Sequence, residues 1–443
     1  MIHLITLSSR ITLLIFMALY TMIAFIALRR KTSKKRRARL YIYQNFLMFL
    51  LIADANVVLF ANSQDFRYLL ALVMEVALMF SILMLYNQIY PEVERSLVNF
   101  LTVLLSIGLI IMSRLSLDRF MHQYLIALLG LGISIGIPAI IRKFPNLDQL
   151  VWGYAGIGIV LLAIVFLIGT REYGAKLSIS LAGFSFQPTE FVKISFVLYF
   201  AAALSRLKKT DSPVKLLVIL GIACLHLLIL AASKDLGAAS IFFVVMVGIL
   251  YAWSGNLLIL IGGFGMIGVG LVLLSTVFAH VSDRLMAWLH PLKYVEDQGY
   301  QVSQSLFAIA GGSWFGSGLL QGMPEKIPVV AKDFVFAAIS EELGALFAIC
   351  LLFLCISCFI MMMNVAMKVR RPFFKLTAVG LGTAYGFQLL LSVGGVIRFI
   401  PSTGVTFPLI SYGGSSLISS MILFSIIEGI YLVEGEDRRS EEA

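Results

Sequence analysis

Long apolar segments separated by short polar stretches run along the whole chain of 443 residues. A helix that spans a membrane needs about 20 mostly apolar residues. The pattern is least regular at the segment 42–62, which contains Asp54 and Asn56, and at the pair of segments joined only by residues 254–256. The pattern predicts an all-α polytopic membrane protein with about 13 transmembrane helices. The segments lie at roughly 11–28, 42–62, 69–90, 97–113, 121–141, 150–168, 188–205, 214–232, 236–253, 256–279, 335–363, 373–397 and 415–433.

Composition supports this prediction. The chain is 60% hydrophobic and only 13% charged, whereas soluble domains are about half apolar and about a quarter charged. The mean hydropathy of +0.96 is strongly positive. These values indicate an integral membrane protein.

The net charge of +10 is unevenly distributed. Eight of the 34 basic residues lie within 29–39, directly after an apolar segment, which is typical of a cytoplasmic membrane flank. No aromatic-interleaved basic fold surrounds the cluster, so we expect no nucleic acid partner. With this cluster inside, the stretches assigned to the cytoplasm hold more Lys and Arg than the outer ones. The N-terminus then faces outward, the C-terminus faces the cytoplasm, and residues 280–334 form a large extracytoplasmic loop.

A short polar stretch at 91–96 (PEVERS) divides the chain. Before it lies an N-terminal three-helix membrane extension, residues 1–90, which includes the basic cytoplasmic loop. After it, residues 97–433 contain the other ten predicted helices, and residues 434–443 form a cytoplasmic tail.

Residues 401–416 (PSTGVTFPLISYGGSS) form a polar loop between two long apolar segments. Its two prolines cannot donate backbone hydrogen bonds, and its three glycines allow torsions that other residues avoid. Such backbone is tolerated near a bilayer only where protein or a water-filled cavity satisfies it. The loop is therefore predicted to shape a functional site.

This run closely resembles the C-terminal signature of the SEDS family, the FtsW/RodA/SpoVE-type bacterial membrane proteins of shape, elongation, division and sporulation. The resemblance extends over about residues 97–433. It implies a ten-helix, GT-C-like core with both ends in the cytoplasm. Residues 1–90 are an addition that the family pattern does not explain.

The predicted outer loop 280–334 carries a second part of the resemblance. Residues 299–308 (GYQVSQSLFA), the Asp333-Phe334 pair and residues 340–344 (SEELG) are similar to the family's loop and the helix that follows it. Two departures are Ser313, where a glycine is common, and residues 329–331 (VVA), which replace a more polar run. Loops of this length are usually functional or disordered. Its glycines and aromatic residues favour an ordered one.

Asp297 precedes the Gly-Tyr-Gln run at 299–301. It matches the aspartate that the family is held to need for polymerisation, so the resemblance makes it the catalytic candidate. Independently of the family, a carboxylate beside the bilayer between apolar walls can acquire the raised pKa that a general base needs. The alternative is a solvated loop acid or turn former.

Glu190 and Lys193 are three residues apart at the start of a predicted membrane helix and therefore share one face. Residues 187–193 (QPTEFVK) are similar to the family's QPSExxK motif, with Thr189 in place of serine. Buried ions are costly and often functional. A mutually neutralising structural pair is an equal alternative.

Several polar residues complete the candidate set. Residues 171–176 resemble an outer family segment, although its usual tryptophan is absent, and Asp235 matches a DlG turn but is also a natural helix N-cap. Arginine suits phosphate oxygens, which makes Arg398 a candidate. The predicted substrate-binding residues are Lys176, Arg171, Arg398, Gln301, Gln304, Ser305, Ser411, Tyr412, Gly413, Gly414 and Ser415, and the predicted cavity-supporting residues are Glu190, Lys193, Asp235, Asp333, Glu341 and Glu342.

The resemblance implies a peptidoglycan glycosyltransferase that polymerises lipid II at the outer face of the bacterial cytoplasmic membrane. It implies as partners a class B penicillin-binding protein, which supplies transpeptidase activity, and other divisome or elongasome membrane proteins. The run at 394–401 is more similar to division-type than to elongation-type members. The alternatives are a lipid II flippase or transporter, and a non-enzymatic divisome scaffold.

The sequence contains few other motifs that indicate cofactor binding, metal binding or nucleophilic catalysis. There is no P-loop, GxGxxG or nucleophile elbow, so no cofactor is identifiable, and the sequence does not show whether a divalent cation is needed. His280, Asp283 and His290 are an alternative metal set, but their spacing is not that of a known site. Cys355 and Cys358 have CxxC spacing within an apolar segment, where small buried residues are the favoured interpretation.

Overall fold

The computed structural model describes residues 2–29, 32–144, 146–172, 175–181, 184–208 and 210–442. Within these residues the chain forms sixteen α-helices and three short strands. The helices are α1 (Ile2–Leu28), α2 (Lys34–Ser63), α3 (Arg67–Ile89), α4 (Arg95–Leu115), α5 (Leu117–Lys143), α6 (Val151–Ile168), α7 (Pro188–Ser205), α8 (Pro213–Ala232), α9 (Leu236–Ser254), α10 (Leu257–Val277), α11 (Ala279–Leu289), α12 (Tyr300–Gly312), α13 (Val335–Leu343), α14 (Ala345–Lys368), α15 (Pro372–Val396) and α16 (Gly414–Glu442), and the strands are β1 (Thr170–Glu172), β2 (Ala175–Leu181) and β3 (Phe184–Phe186).

Thirteen of the described helices, all except α11, α12 and α13, are long and apolar enough to cross a membrane. The predicted fold class and number of spans are therefore confirmed. The least regular segments are helical as well. Gly255 ends α9 in a left-handed conformation, with φ of 70°, and the side chain of Asn256 caps α10 by accepting from the Leu258 N–H at 3.0 Å.

The predicted single span 335–363 is wrong, because the helix is interrupted at Gly344. Gly344 has φ of 90°, and a Cβ placed there would lie 2.4 Å from the backbone nitrogen of Gly316. The interruption therefore needs both a positive φ and a close approach by another backbone segment. It separates the short helix α13 from the spanning helix α14.

Polar side chains inside the first three helices bond to one another. The Thr12 hydroxyl donates to Asp54, and the Asn56 amide donates to Glu75 at 3.1 Å. This pairing shows how α2 accommodates Asp54 and Asn56 within an apolar segment, because buried polar groups are costly without partners.

The chain divides into two compact units. The first comprises Met1–Ile135, Met286–Met361 and Ser392–Gly413. At its centre α4 is buried along its whole spanning length and packs against α2, α3 and α13. The predicted extension 1–90 thus packs directly on the start of the predicted core. Whether it is a separate domain stays a prediction.

Polar contacts tie the extension 1–90 to the rest of the first unit. The Tyr20 hydroxyl donates to the Asn99 carbonyl at 2.9 Å, and the Asn99 amide donates to Gln44 at 3.1 Å. The Thr21 hydroxyl donates to the Cys350 carbonyl at 3.2 Å, which brings α1 against α14. These contacts reach both α4 and α14.

The second unit comprises Gly136–Leu285, Met362–Leu391 and Gly414–Ala443. In it α7 packs against α6, α8, α9 and α16. A small antiparallel sheet has the strand order β1-β2-β3, and β2 contacts α6 and α7. The sheet was not predicted from the sequence. Strands β1 and β3 have only three residues each, and the alternation of apolar and polar residues in the seven-residue β2 (AKLSISL) was the available signal.

The predicted outer loop 280–334 contains more regular structure than expected. It includes most of α11, the whole of α12 and a short 3₁₀ turn at Pro324–Lys326. Helices α11 and α12 have 11 and 13 residues, which is too short for a membrane span. Polar residues are also interleaved with the apolar ones in both helices. The catalytic candidate Asp297 lies in the turns that connect these two helices.

Candidate active site

The candidate residues are distributed over both units. The first unit holds Asp297, Arg398, Gln301, Gln304, Ser305, Asp333, Glu341, Glu342, Ser411, Tyr412 and Gly413, and the second holds Arg171, Lys176, Glu190, Lys193, Asp235, Gly414 and Ser415.

Asp297 lies in the turn that leads into α12. Its backbone N–H donates to the Tyr294 carbonyl at 3.1 Å, and its carbonyl accepts from the Tyr300 N–H at 3.0 Å. The side chain is exposed, and among the described residues its carboxylate has no hydrogen bond or ion pair. A carboxylate held by its backbone and open at its side chain is able to accept a proton from a bound substrate.

The first turn of α12 is fixed by close packing. A Cβ at Gly299 would lie 2.4 Å from the Pro291 carbonyl oxygen, so only glycine fits there. The Ser303 hydroxyl donates to that same carbonyl at 3.0 Å, and the Ser305 hydroxyl reaches the Val396 carbonyl at 3.1 Å. Gln301 and Gln304 are half-buried on the same helix. Ser305 therefore positions α12 against the end of α15.

Arg398 has a similar structural role. Its Nε donates to the Trp288 carbonyl at 2.6 Å and its Nη2 to the Leu289 carbonyl at 2.7 Å. The Trp288 indole N–H donates back to the Arg398 carbonyl at 3.1 Å. Two guanidinium nitrogens are thus engaged with the C-terminal end of α11, and contact between Arg398 and phosphate stays a prediction.

The loop 401–416 is held by backbone and side-chain contacts. The Tyr412 N–H donates to the Ala331 carbonyl at 2.7 Å, and the Ser411 hydroxyl donates to the Lys332 carbonyl and accepts from the Phe407 N–H at 2.9 Å. In the second unit, the Ser415 hydroxyl accepts from the Gln187 N–H at 2.9 Å. These hydroxyls stabilise the loop conformation.

Two residues that the sequence reading missed also hold this loop. The side chain of Gln123 on α5 donates to the Ser411 carbonyl at 3.2 Å and accepts from the Gly413 N–H at 3.3 Å. Beside it, the Tyr412 hydroxyl lies 3.2 Å from Nδ1 of His122. Gln123 is buried, and a buried polar residue within an apolar segment was the available signal.

A buried ion cluster joins α4 to α13 and to the segment before α13, and Arg114 at its centre was also missed. Its Nε lies 2.7 and 2.8 Å from the two carboxylate oxygens of Glu342, and its Nη1 lies 2.5 Å from Glu325. The side chains of Arg114 and Glu342 are only 5% and 1% exposed, whereas Glu325 is 58% exposed. The cluster holds α13 and the segment around Glu325 against α4.

The neighbouring acids bond to the same segment. Glu342 also accepts from the Gly322 N–H at 3.3 Å, and Glu341 accepts from the Met323 N–H at 2.9 Å. Burial raises the pKa of Glu342 to about 7, and Arg114 opposes that rise. Asp333 is half-buried in the preceding turn, where its N–H donates to the Val329 carbonyl at 3.2 Å. Glu341 and Glu342 therefore hold the segment at 322–323, and their role in supporting a cavity stays a prediction.

In the second unit, Glu190 and Lys193 form the ion pair that their spacing predicted. The Lys193 Nζ lies 2.8 Å from Glu190 Oε2, and the side chains are 6% and 12% exposed. Lys193 also donates to Gln388 at 2.7 Å, and the Ser419 hydroxyl donates to Glu190 at 2.9 Å. The network links α7 to α15 and α16, and its two outer members were missed.

We expect Glu190→Gln or Lys193→Met alone to cost roughly 3–5 kcal/mol of stability, because each leaves an unpaired buried charge. The double variant should be more stable than the worse single variant. Thermal unfolding of the four detergent-purified proteins measures this coupling. Ser419→Ala serves as a control that keeps both charges. Strictly additive losses would show that the pair does not interact.

Asp235 caps α9 as the alternative reading predicted, with its Oδ1 accepting from the Ala238 N–H at 3.0 Å. The residue is buried, and its Oδ2 has no partner among the described residues. Burial raises the pKa of Asp235 to about 6, Glu190 adds to the rise, and the Ala238 N–H and Arg284 oppose it. A buried carboxyl group with a raised pKa is costly to ionise, and it is able to exchange protons near neutral pH.

The remaining candidates are less defined. Arg171 and Lys176 are register partners across β1 and β2, but their side chains lie outside the described residues. Within the described part of the chain, no group of three His, Cys, Asp or Glu residues is arranged to hold a metal ion, and this includes His280, Asp283 and His290. The four cysteines are free, and Cys355 and Cys358 are buried.

The fold defines a multi-pass helical membrane protein. A model of the FtsW/RodA/SpoVE family, described as cell cycle proteins, matches residues 95–434. The chain therefore belongs to this family, and the predicted SEDS resemblance is confirmed.

Relatives within the family carry two names. The chain is 32% identical over 368 residues to the peptidoglycan glycosyltransferase RodA of Mycobacterium tuberculosis H37Rv, covering 77% of this chain and 78% of RodA. It is 31% identical over 360 residues to the probable peptidoglycan glycosyltransferase FtsW of Aeromonas salmonicida, covering 75% of this chain and 89% of FtsW. Since both names occur, the closer likeness to division-type members stays a prediction.

Solved structures share the fold. One chain of a peptidoglycan synthase complex that coordinates polymerization and crosslinking superposes with a TM-score of 0.67 and 23% identity, over 79% of this chain and 99% of that chain. Thermus thermophilus RodA superposes with a TM-score of 0.56 and 21% identity, over 77% of this chain and 97% of RodA.

Proposed function

We propose that this protein is a peptidoglycan glycosyltransferase that polymerises lipid II into β-1,4-linked glycan strands at the outer face of the cytoplasmic membrane. The observation that carries the proposal is the family match over residues 95–434, with relatives that are named peptidoglycan glycosyltransferases. Both substrates of such a reaction are lipid-anchored, which suits an enzyme with thirteen candidate membrane spans.

Asp297 is the proposed general base. The acceptor sugar's 4-hydroxyl attacks the anomeric carbon of the donor, Asp297 takes the hydroxyl proton, and the lipid pyrophosphate leaves. An α-linked donor that gives a β-linked product requires inversion, so a single displacement with one base is sufficient. The exposed carboxylate, fixed at its backbone in the turn before α12, supports this role.

Charge on the leaving pyrophosphate needs nearby cations. Arg171 and Lys176 lie opposite each other on β1 and β2 and are the favoured candidates. Arg398 already donates two hydrogen bonds to backbone carbonyls, so its role is more readily explained by its support of α11. The ion pair of Glu190 and Lys193 supports the helices of the second unit.

The orientation belongs to this proposal. With residues 29–39 in the cytoplasm, the N-terminus and the segment that carries Asp297 lie outside, and the C-terminus lies inside. The proposed membrane is the bacterial cytoplasmic membrane, and the proposed partner is a class B penicillin-binding protein. The fold match to a chain of a complex that combines polymerization with crosslinking supports such a partner.

Polymerisation of purified lipid II by the detergent-solubilised protein tests the function. We expect glycan polymer from the wild-type protein, with more product when the cognate transpeptidase is added. Labelled lipid II in proteoliposomes separates the alternatives. Translocation without polymer would indicate a transporter, and a bacterial cell that stays viable with Asp297→Ala would indicate a scaffold.

A further inference from the structure

The connection between α1 and α2 concentrates positive charge at one end of two membrane-spanning helices. Arg29, Lys34, Lys35, Arg36 and Arg39 are all exposed there. The chain contains no acidic residue before Asp54. Among the described residues, none of the five basic side chains forms an ion pair. We call these five residues the basic collar.

Nearby acids cannot neutralise this charge. Glu92 and Glu94, on the connection between α3 and α4, lie on the same side of the membrane, because the Tyr41 hydroxyl donates to Glu94 at 3.2 Å. Two carboxylates are too few for the eight basic residues within 29–39. The collar also begins α2, whose N-terminal end carries a partial positive charge. Its counterions must therefore come largely from outside the first unit.

Several basic residues of the second unit, unlike those of the collar, form ion pairs with acidic residues. Arg371 forms two hydrogen bonds of 2.7 Å with Asp437, and Arg438 donates to Glu434 at 3.0 Å. Arg142 pairs with Glu436, and Arg370 pairs with Glu441. The end of α16 thus supplies acids to basic residues on neighbouring elements. The collar has no comparable acidic segment among the described residues.

Large apolar and aromatic side chains that follow the collar are exposed. Ile42, Tyr43 and Phe46 are 65%, 56% and 60% exposed on α2. Since α1 and α2 both span the bilayer, the collar must lie at the depth of the lipid headgroups, and an exposed tyrosine at that depth is typical of a membrane interface. We propose that the basic collar binds the phosphate groups of anionic phospholipids. This binding would hold the N-terminal helices, which pack on α4, in a fixed position.

The test uses the full chain purified in neutral detergent and mixed micelles with equal phosphatidylglycerol and phosphatidylcholine. Retained lipids are measured by mass spectrometry after washing at low and high salt. We expect several-fold enrichment of phosphatidylglycerol that declines with salt. A cation near an anionic surface contributes about fivefold to the binding of an anionic lipid, so Lys34→Gln/Lys35→Gln/Arg36→Gln should bring the ratio of phosphatidylglycerol to phosphatidylcholine close to that of the bulk micelles.

The matched control removes three exposed cations elsewhere, as Arg119→Gln/Lys293→Gln/Lys326→Gln, and should retain the enrichment. An equal loss in this control would overturn the proposal, because the effect would then follow net charge. Absence of enrichment in the wild-type protein would also overturn it. Displacement of the lipid by millimolar inorganic phosphate would show that the collar binds anions in general and is not a lipid site. Displacement by an acidic peptide alone would indicate a protein partner.

Discussion

Asp297→Asn should lower the rate of lipid II polymerisation by about 10²–10⁴, because asparagine keeps the size and polarity of the side chain but cannot accept the proton. The Asp297 side chain is exposed and makes no contact that its loss would break among the described residues. We therefore expect the variant to fold and to bind its partner normally. Initial rates of polymer formation, at matched concentrations of folded protein, measure the effect.

Glu296→Gln provides the control for this prediction. Glu296 is the adjacent acid, is equally exposed, and has no counterpart in the family motif. Its change should leave the rate within a few-fold of wild type. A wild-type rate in Asp297→Asn protein, freed of contaminating polymerases, would remove Asp297 from the mechanism. Loss of activity in Glu296→Gln alone would move the base by one residue and leave the reaction unchanged.

Arg114→Leu should destabilise the protein by roughly 3–5 kcal/mol, since it leaves the buried carboxylate of Glu342 without its cation. Arg114→Lys should be intermediate, because an ammonium group cannot bond both carboxylate oxygens in the fork that Arg114 forms. Thermal unfolding in detergent measures the losses. The exposed Glu325 can turn to solvent and should contribute little.

Two further variants decide how the Arg114 result is interpreted. Arg119→Leu removes an exposed arginine near the start of α5 and should leave stability nearly unchanged. Arg114→Leu/Glu342→Leu removes both buried charges and should be more stable than Arg114→Leu alone. If the double variant were as unstable as the sum of its two single changes, the buried pair would not be the source of the effect.

Much of this molecule is determined by its sequence. A bilayer requires long apolar helices, so the thirteen spans follow from the hydrophobic segments alone. Local spacing along the chain also predicts individual side-chain contacts. Glu190 and Lys193 meet because residues three apart share a helix face, and Asp235 caps α9 because its side chain reaches a free N–H in the first turn.

Other features depend on the tertiary structure. Arg114 and Glu342 are 228 positions apart, and neither apolar periodicity nor local spacing indicates that they meet. The break at Gly344 exists because the backbone at Gly316 occupies the space beside it. Gln123 is recognisable only as a polar residue in an apolar helix until the loop at Ser411 and Gly413 bonds to it. The sequence by itself determined the elements that the bilayer imposes, whereas contacts between distant segments depend on packing that no local pattern encodes.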